Sequence, residues 1–285
     1  MVWGASFIAT KFALRDIGPV AVIWLRFAVG VIILAIAVAA RRQFTLPKRN
    51  EWGYFALLGF LGITLHQWLQ ANGLVTAKAT TSAWIVSTIP VFMALLGWLA
   101  LKERLGWIKV GGILLATFGM LLVVSRGELA ALWVNGFGAP GDYLILISAV
   151  NWAVFSVLSR RGLKLYPATR MMFYVMLLGW LFSSILFFSG SYWIQIPHLA
   201  PSGWAGIAFL GIFCSGLAYI TWYDALQALP SAQAGVFLYI EPLVTMLLAA
   251  ILIDEKVTPA SLLGGAIILL GVWLVNRPEK AGAYA

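Results

Sequence analysis

Acidic residues, cysteine and histidine are all scarce in this chain, and each scarcity removes a class of function. Its 285 residues include one cysteine, Cys214, and two histidines, His66 and His198. One cysteine permits no internal disulfide and no thiolate cluster, and two distant histidines make no metal-ligand spacing, so neither a metal nor another cofactor is expected. Cys214 lies in an apolar run, where it serves as packing. No G-x-x-x-x-G-K-S/T loop is present to cradle phosphates, which removes ATP hydrolysis by this chain as a source of power. An enzyme would want paired carboxylates or a nucleophile and base at one depth. His66 with Ser6 or Ser215 lacks any third group to order it, so no catalytic role is expected. The rings of carbonyls or charges that form a channel filter are missing as well.

Charge as a whole is sparse. Only 10% of residues are charged and 62% are hydrophobic, with a mean hydropathy of +0.94, whereas soluble domains carry about 25% charged residues. Apolar runs of about 20 residues recur, the length a helix needs to cross the hydrocarbon core and not the short alternating segments of a β-barrel. The expected class is an all-α membrane protein. The net charge of +9 could serve nucleic acid, but the basic residues lie in short connections between apolar runs instead of on one face, so lipid and not nucleic acid is the expected surroundings.

What is present is a repeat. The stretch TIPVFMALLGWLALKERL, from Thr88 to Leu105, returns as IEPLVTMLLAAILIDEKV, from Ile240 to Val257, each read as an apolar helix with a proline inside. At an offset of 152, Pro90 falls on Pro242, Glu103 on Glu255, Gly112 on Gly264 and Gly119 on Gly271. Ten transmembrane helices are expected, at about 1–14, 18–40, 52–72, 79–101, 107–125, 142–159, 167–188, 203–224, 231–253 and 259–276. The first reads as short: Trp3 aligns with Trp152, which is preceded by roughly ten more helical residues, so the start is read as trimmed. This divides the chain into a first five-helix repeat at 1–125, a connecting loop at 126–141, a second five-helix repeat at 142–276 and a tail at 277–285.

Orientation follows from lysine and arginine in short loops, which stay cytoplasmic. With the N-terminus inside, thirteen basic residues lie on the inner side and five on the outer, with Arg26 inside a span. Both termini and the tail are therefore expected to be cytoplasmic, in a cell inner (plasma) membrane. Five spans per copy is odd, so the second copy must be inverted. The loops agree: RRQFTLPKRN of the first copy corresponds to SGSYWIQIPHLAPSG of the second, which has no lysine or arginine.

The segment WGASFIATKFAL at 3–14, the run from Pro90 to Arg104 ending in KER, and YIEPLVTMLLAAILIDEKVTPASLLGGAIILLGV at 239–272 resemble the EamA family of the drug/metabolite transporter superfamily over nearly the whole chain. Glu103 and Glu255 and the Glu241-Pro242 step carry that likeness; the first copy departs from it with Ile89-Pro90. Within the family the chain is similar to bacterial aromatic amino acid exporters. The resemblance implies a transporter, secondary active or facilitative, of small metabolites, foremost aromatic and other apolar amino acids, working by alternating access. A carrier for a nucleoside, sugar or cationic drug is the alternative within transport, and a non-transporting scaffold or lipid-handling protein the alternative outside it.

A site in such an architecture lies near the bilayer midplane between the repeats. Ionisable groups within spans are costly and mark candidates, which singles out Arg26, His66 and Glu241. His66 shares a helical stripe with Gln70, Ile63 and Gly59, which suits a cavity wall. Arg26 is assigned a structural role, by snorkelling or an internal ion pair. Glu241 is a candidate for coupling or for capping of exposed backbone beside its proline. Trp84 and Tyr239 are expected to face one central volume, because Trp84 and Val236 are equivalent at the repeat offset and Tyr239 follows one turn later. Trp3, Ser6, Asn151 and Trp152 at mid-depth, and Ser215, Tyr219 and Trp222 at helical spacing, complete the expected substrate wall. Aromatic rings take flat apolar ligands while Asn, Ser and Gln orient polar ends. Gly106, Gly111, Gly112, Gly264, Gly265 and Gly271 suit close helix packing, within a monomer or in a weak homodimer.

Overall fold

A run of twenty apolar residues in hydrocarbon must satisfy every backbone N–H and C=O internally, and helix is the form in which one segment does so alone. The computed structural model describes residues 2–101, 106–130, 138–228 and 237–277, and all regular structure among them is helical. In chain order these are α1 (Val2–Ala13), α2 (Pro19–Ala40), α3 (Trp52–Gly59), α4 (His66–Thr76), α5 (Ala79–Val86), α6 (Ile89–Leu101) and α7 (Trp107–Val124). They continue as α8 (Pro140–Leu165), α9 (Ala168–Ser189), α10 (Pro201–Phe209), α11 (Ala218–Ala228), α12 (Glu241–Leu252) and α13 (Pro259–Asn276). Two π-helical segments, Phe60–Leu65 and Leu210–Leu217, join α3 to α4 and α10 to α11 without ending the helix.

Among the described residues seven helical runs are long and apolar enough to cross a membrane. Three expected spans fall outside that set. The first has only 12 residues; the third carries His66, Gln67, Gln70 and Asn72 in its second half; and the ninth is described only from Phe237. Leucine, isoleucine and tryptophan side chains such as Ile36, Leu99, Ile185 and Leu247 stand exposed on the outer surface, an arrangement that suits lipid and not water. The chain is a multi-pass membrane protein.

The interior is knit by close backbone approaches. Helix α7 packs along α13, α2 along α9, and α1 against both α10 and α12. A Cβ placed on Gly112 would stand 2.6 Å from the Gly271 carbonyl oxygen, and one on Gly119 would stand 2.6 Å from that of Gly264. With little hydrophobic force between helices in lipid, such small-residue contacts supply the dispersion energy that holds them. These glycines are thus spent inside one chain. Gly265 instead makes room for the Trp84 ring, and nothing lies within 4 Å of a Cβ placed on Gly111.

The expectation of a proline inside each of two helices is corrected. Pro90 is the second residue of α6, after a turn at Ser87 and Thr88, and Pro242 the second residue of α12, after a 3-10 turn at Phe237–Ile240. A ring that lacks an N–H and fixes φ fits the first turn, where no intrahelical partner exists, and would cost about 3 kcal/mol in the interior. The Glu103 and Val236 positions lie outside the described residues. Glu255 accepts a hydrogen bond from the Thr80 amide at 3.2 Å, which ties the connection before α13 to the start of α5.

Candidate functional site

The turn before α6 and the 3-10 turn before α12 leave backbone groups that need partners, and nearby hydroxyls supply several. Ser87 donates to the Trp84 carbonyl at 2.7 Å and Thr88 to that of Ile85 at 2.6 Å. Thr245 donates to the carbonyls of Gly4 at 2.8 Å and Glu241 at 3.0 Å, fastening α12 to α1. The helix starts so held border one cavity, with about 800 Å³ of empty space including its open mouth.

Its walls come from both ends of the chain. Trp3, Ser6 and Phe7 of α1, Arg26 of α2, and His66, Gln67 and Gln70 of α4 face Trp152 of α8, Tyr219 and Trp222 of α11, and Tyr239, Glu241 and Pro242. Ala83, Val86 and Ser87 close it from α5, followed by Ile89 and Pro90. The Trp3 ring meets Tyr219 and Trp222 edge to face at 5.9 and 5.4 Å, and its Nε1–H donates to the Cys214 carbonyl at 3.1 Å, so this aromatic corner is fixed in place. Edge-to-face pairs add about 1 kcal/mol beyond the area they bury.

His66 is 5% exposed, with Nδ1 3.1 Å from the Ser148 carbonyl oxygen and its ring 4.6 Å from that of Trp152. A carbonyl oxygen only accepts, so Nδ1 carries a proton toward it, which leaves Nε2 to the cavity side chains. The histidine is both satisfied by a neighbouring carbonyl and part of the wall.

Arg26 corrects the sequence-based assignment. It is 6% exposed and neither snorkels nor pairs with a carboxylate among the described residues. Its Nε–H donates to Ser215 Oγ and its Nη1 to Gln67 Oε1, both at 3.0 Å, while the guanidinium carbon lies 4.9 Å from the centre of the Phe27 ring. From there it lines both the central cavity and a smaller one beneath it. Glu241, at the start of α12, reaches the same cavity, and its carboxylate has no hydrogen bond or ion pair to another described residue.

Of the substrate-wall residues named from sequence, the structure brings Trp3, Ser6, His66, Gln70, Trp152, Tyr219, Trp222 and Tyr239 together around the cavity. Three others do not line it. Trp84 is 2% exposed and turned behind the wall, its Nε1–H donating to Ser261 Oγ at 3.1 Å. Helical spacing explains this: Ala83, Val86 and Ser87 share the inner face of α5, and Trp84 stands about 100° away. Asn151 donates to the Leu61 carbonyl at 2.7 Å, within a π segment, where the looser ladder leaves carbonyls able to take a side-chain partner. Ser215 supports the Arg26 guanidinium from behind. Gln67 was missed, although its spacing of three from Gln70 places both on one helical face. Ser87, Ile89, Pro90 and Leu238 were missed because only the turns before α6 and α12 expose them.

Comparison with known proteins bears on this geometry. A protein-family model described as "EamA-like transporter family" matches residues 1–125 and 139–277. A relative from Archaeoglobus fulgidus named "Uncharacterized transporter" is 30% identical over 279 residues, spanning 98% of this chain and 95% of its own length. A relative from Streptantibioticus cattleyicolor named "Probable terminal-alkyne amino-acid exporter" is 26% identical over 277 residues, 97% of this chain and 90% of its own. A solved crystal structure superposes with a TM-score of 0.68 at 21% identity, covering 96% of this chain and 93% of the other, which is a likeness of fold.

Proposed function

The chain belongs to the EamA-like transporter family, and from that premise we propose that it is a secondary active or facilitative carrier that exports aromatic and other apolar amino acids by alternating access around the central cavity. The observation that carries this reading is the mixed lining: Trp3, Trp152, Tyr219, Trp222 and Tyr239 offer flat apolar contact beside the hydrogen-bonding groups of His66, Gln67 and Gln70. Rings and a few convergent polar groups are what a ligand with an apolar side chain and a polar head requires. A relative named as an amino-acid exporter supports the same class. A nucleoside, sugar or cationic drug would use such rings too, and is the second reading.

The mechanism rests on two inverted five-helix repeats, residues 1–125 and 142–276, ten spans in all, with the 126–141 connection between them. The contacts of α7 and α13 support it. At the repeat offset Gly112 is equivalent to Gly264 and Gly119 to Gly271, and the close approaches are Gly112 to Gly271 and Gly119 to Gly264. Exchanging the copies maps that pair of contacts onto itself, as a two-fold relation demands, and the helices run antiparallel. Glycines elsewhere follow suit. A Cβ on Gly30 would meet Ser215 and one on Gly179 would meet Ile63, positions equivalent at offsets of 149 and 152. Rocking one repeat on the other then opens the site to each side in turn. The same basic-residue count puts both termini in the cytoplasm of a plasma-membrane protein.

Two experiments test this. Flux of radiolabelled amino acids, nucleosides and sugars into proteoliposomes of purified protein is expected to be highest for phenylalanine and its aromatic relatives; movement of a nucleoside or sugar alone overturns the substrate class. Cysteines placed at Gln43 and Ser191 are expected to react with a membrane-impermeant reagent in intact cells only at Ser191, and labelling at Gln43 overturns the orientation.

A further inference from the structure

Two charged side chains reach the central cavity from opposite ends of the chain and do not meet. Arg26 is held by Ser215 and Gln67, and both are acceptors toward it. A guanidinium has five N–H donors in a planar fork; two are engaged, and the other three have no partner among the described residues. Glu241 lies on the same cavity with its carboxylate equally unengaged among the described residues. The ion pair recorded among them is elsewhere, Arg41 with Asp224 at 2.7 Å.

A buried charge without a complement is costly, more so at membrane depth, and a chain with 10% charged residues has few to place there without reason. Were the role structural, the two would stabilise each other by pairing. Instead Ser215 and Gln67 orient the fork while leaving donors free, the geometry suited to a bidentate carboxylate. The rings of Trp3, Trp152 and Trp222 line the same cavity as the two charges.

We propose that Arg26 receives the carboxylate and Glu241 the ammonium group of a zwitterionic amino acid, whose side chain rests among the tryptophans. The assignment rests on the amino-acid reading above and sharpens it: recognition requires both charges on the ligand. An analogue with one charge leaves the other protein group unpaired, which weakens binding on the order of tenfold to a hundredfold.

The test uses the full chain in proteoliposomes exchanging radiolabelled L-phenylalanine, with unlabelled 2-phenylethylamine, which lacks the carboxylate, and 3-phenylpropanoate, which lacks the ammonium, as competitors. Each is expected to compete at least about tenfold less well than phenylalanine. In Arg26→Gln the gap between phenylalanine and phenylethylamine narrows, and in Glu241→Gln the gap between phenylalanine and phenylpropanoate narrows. Variants are compared only where they elute as a single species, and the analogue ranking in the parental protein decides where they do not. Either analogue competing as well as phenylalanine in the parental protein, or a folded Arg26→Gln that keeps the parental ranking, overturns the assignment while leaving amino-acid transport intact. Failure to exchange phenylalanine at all overturns the amino-acid reading itself, and the assignment with it.

Discussion

Residues 52–76 and 201–228 use one backbone device and put different chemistry on it. Each run is a helix that loosens into a π segment, Phe60–Leu65 or Leu210–Leu217, and tightens again into the helix that faces the cavity. A π turn shifts the faces of a helix relative to one another and is found where a binding surface must be re-aimed. After it the first run presents His66, Gln67 and Gln70, and the second presents Tyr219 and Trp222. Gln67 and Tyr219 are 152 apart, as are Gln70 and Trp222, so the amide of one run stands where the other has a ring. The backbone thus carries the repeat and the side chains carry the polarity of the site. On the proposed reading the ligand's ring rests against the aromatic wall and its polar head reaches the amide wall beside Arg26.

The comparison breaks most completely where α7 and α13 touch. Gly119→Leu would drive a side chain into the Gly264 carbonyl and the Ile268 amide, both backbone atoms that cannot swing aside. Overpacking of this kind costs about 3 kcal/mol; a melting curve in detergent should shift sharply downward, and a parental curve would show that α7 and α13 do not meet as described. At the aromatic wall, Trp222→Ala removes an edge-to-face partner of Trp3 and is expected to lower phenylalanine flux about tenfold, for roughly 1.4 kcal/mol, while sparing alanine flux. Equal loss for both amino acids would place the ring outside the side-chain site. At the amide wall Gln70→Ala should lower both fluxes together about fivefold, because losing a hydrogen bond to the common polar head is worth about 1 kcal/mol. Selective loss of phenylalanine flux there would reverse the assigned direction of the ligand. The smallest effect belongs to Trp84→Phe, which deletes the hydrogen bond to Ser261. It should reduce thermal stability by about 1 kcal/mol and leave the ratio of phenylalanine to alanine flux unchanged; a changed ratio would return Trp84 to the wall.

How much of this was legible beforehand depended on the period of the signal. Membrane helices follow from runs of about 20 apolar residues, because hydrocarbon tolerates few other arrangements of the backbone. That glycines such as Gly112, Gly264 and Gly271 serve close helix packing was visible as spacing, since a stripe of small residues has one physical use in lipid, but which glycine meets which was not. His66 and Gln70 were legible as polar residues one turn apart in an apolar run. Trp84 was not, because a tryptophan is equally at home in a packed interior and in a cavity wall, and only the packing of α5 against Gly265 and Ser261 shows which face carries it.

What the sequence by itself determined is therefore the class of solvent: low charge and long apolar runs demand helices in a membrane, while the matched prolines, glutamates and glycines are the pattern on which the proposal of two copies of one unit rests. The tertiary structure alone decided which polar groups share a space. Arg26, in α2, and Glu241, in α12, are 215 residues apart and carry no pattern that links them. They border one cavity because α1 and α4 pack between their helices and because Gln67 of α4 and Ser215 of the second π segment hold the guanidinium in place. Such convergence depends on how helices cross, and crossing is set by long-range packing that no local pattern records.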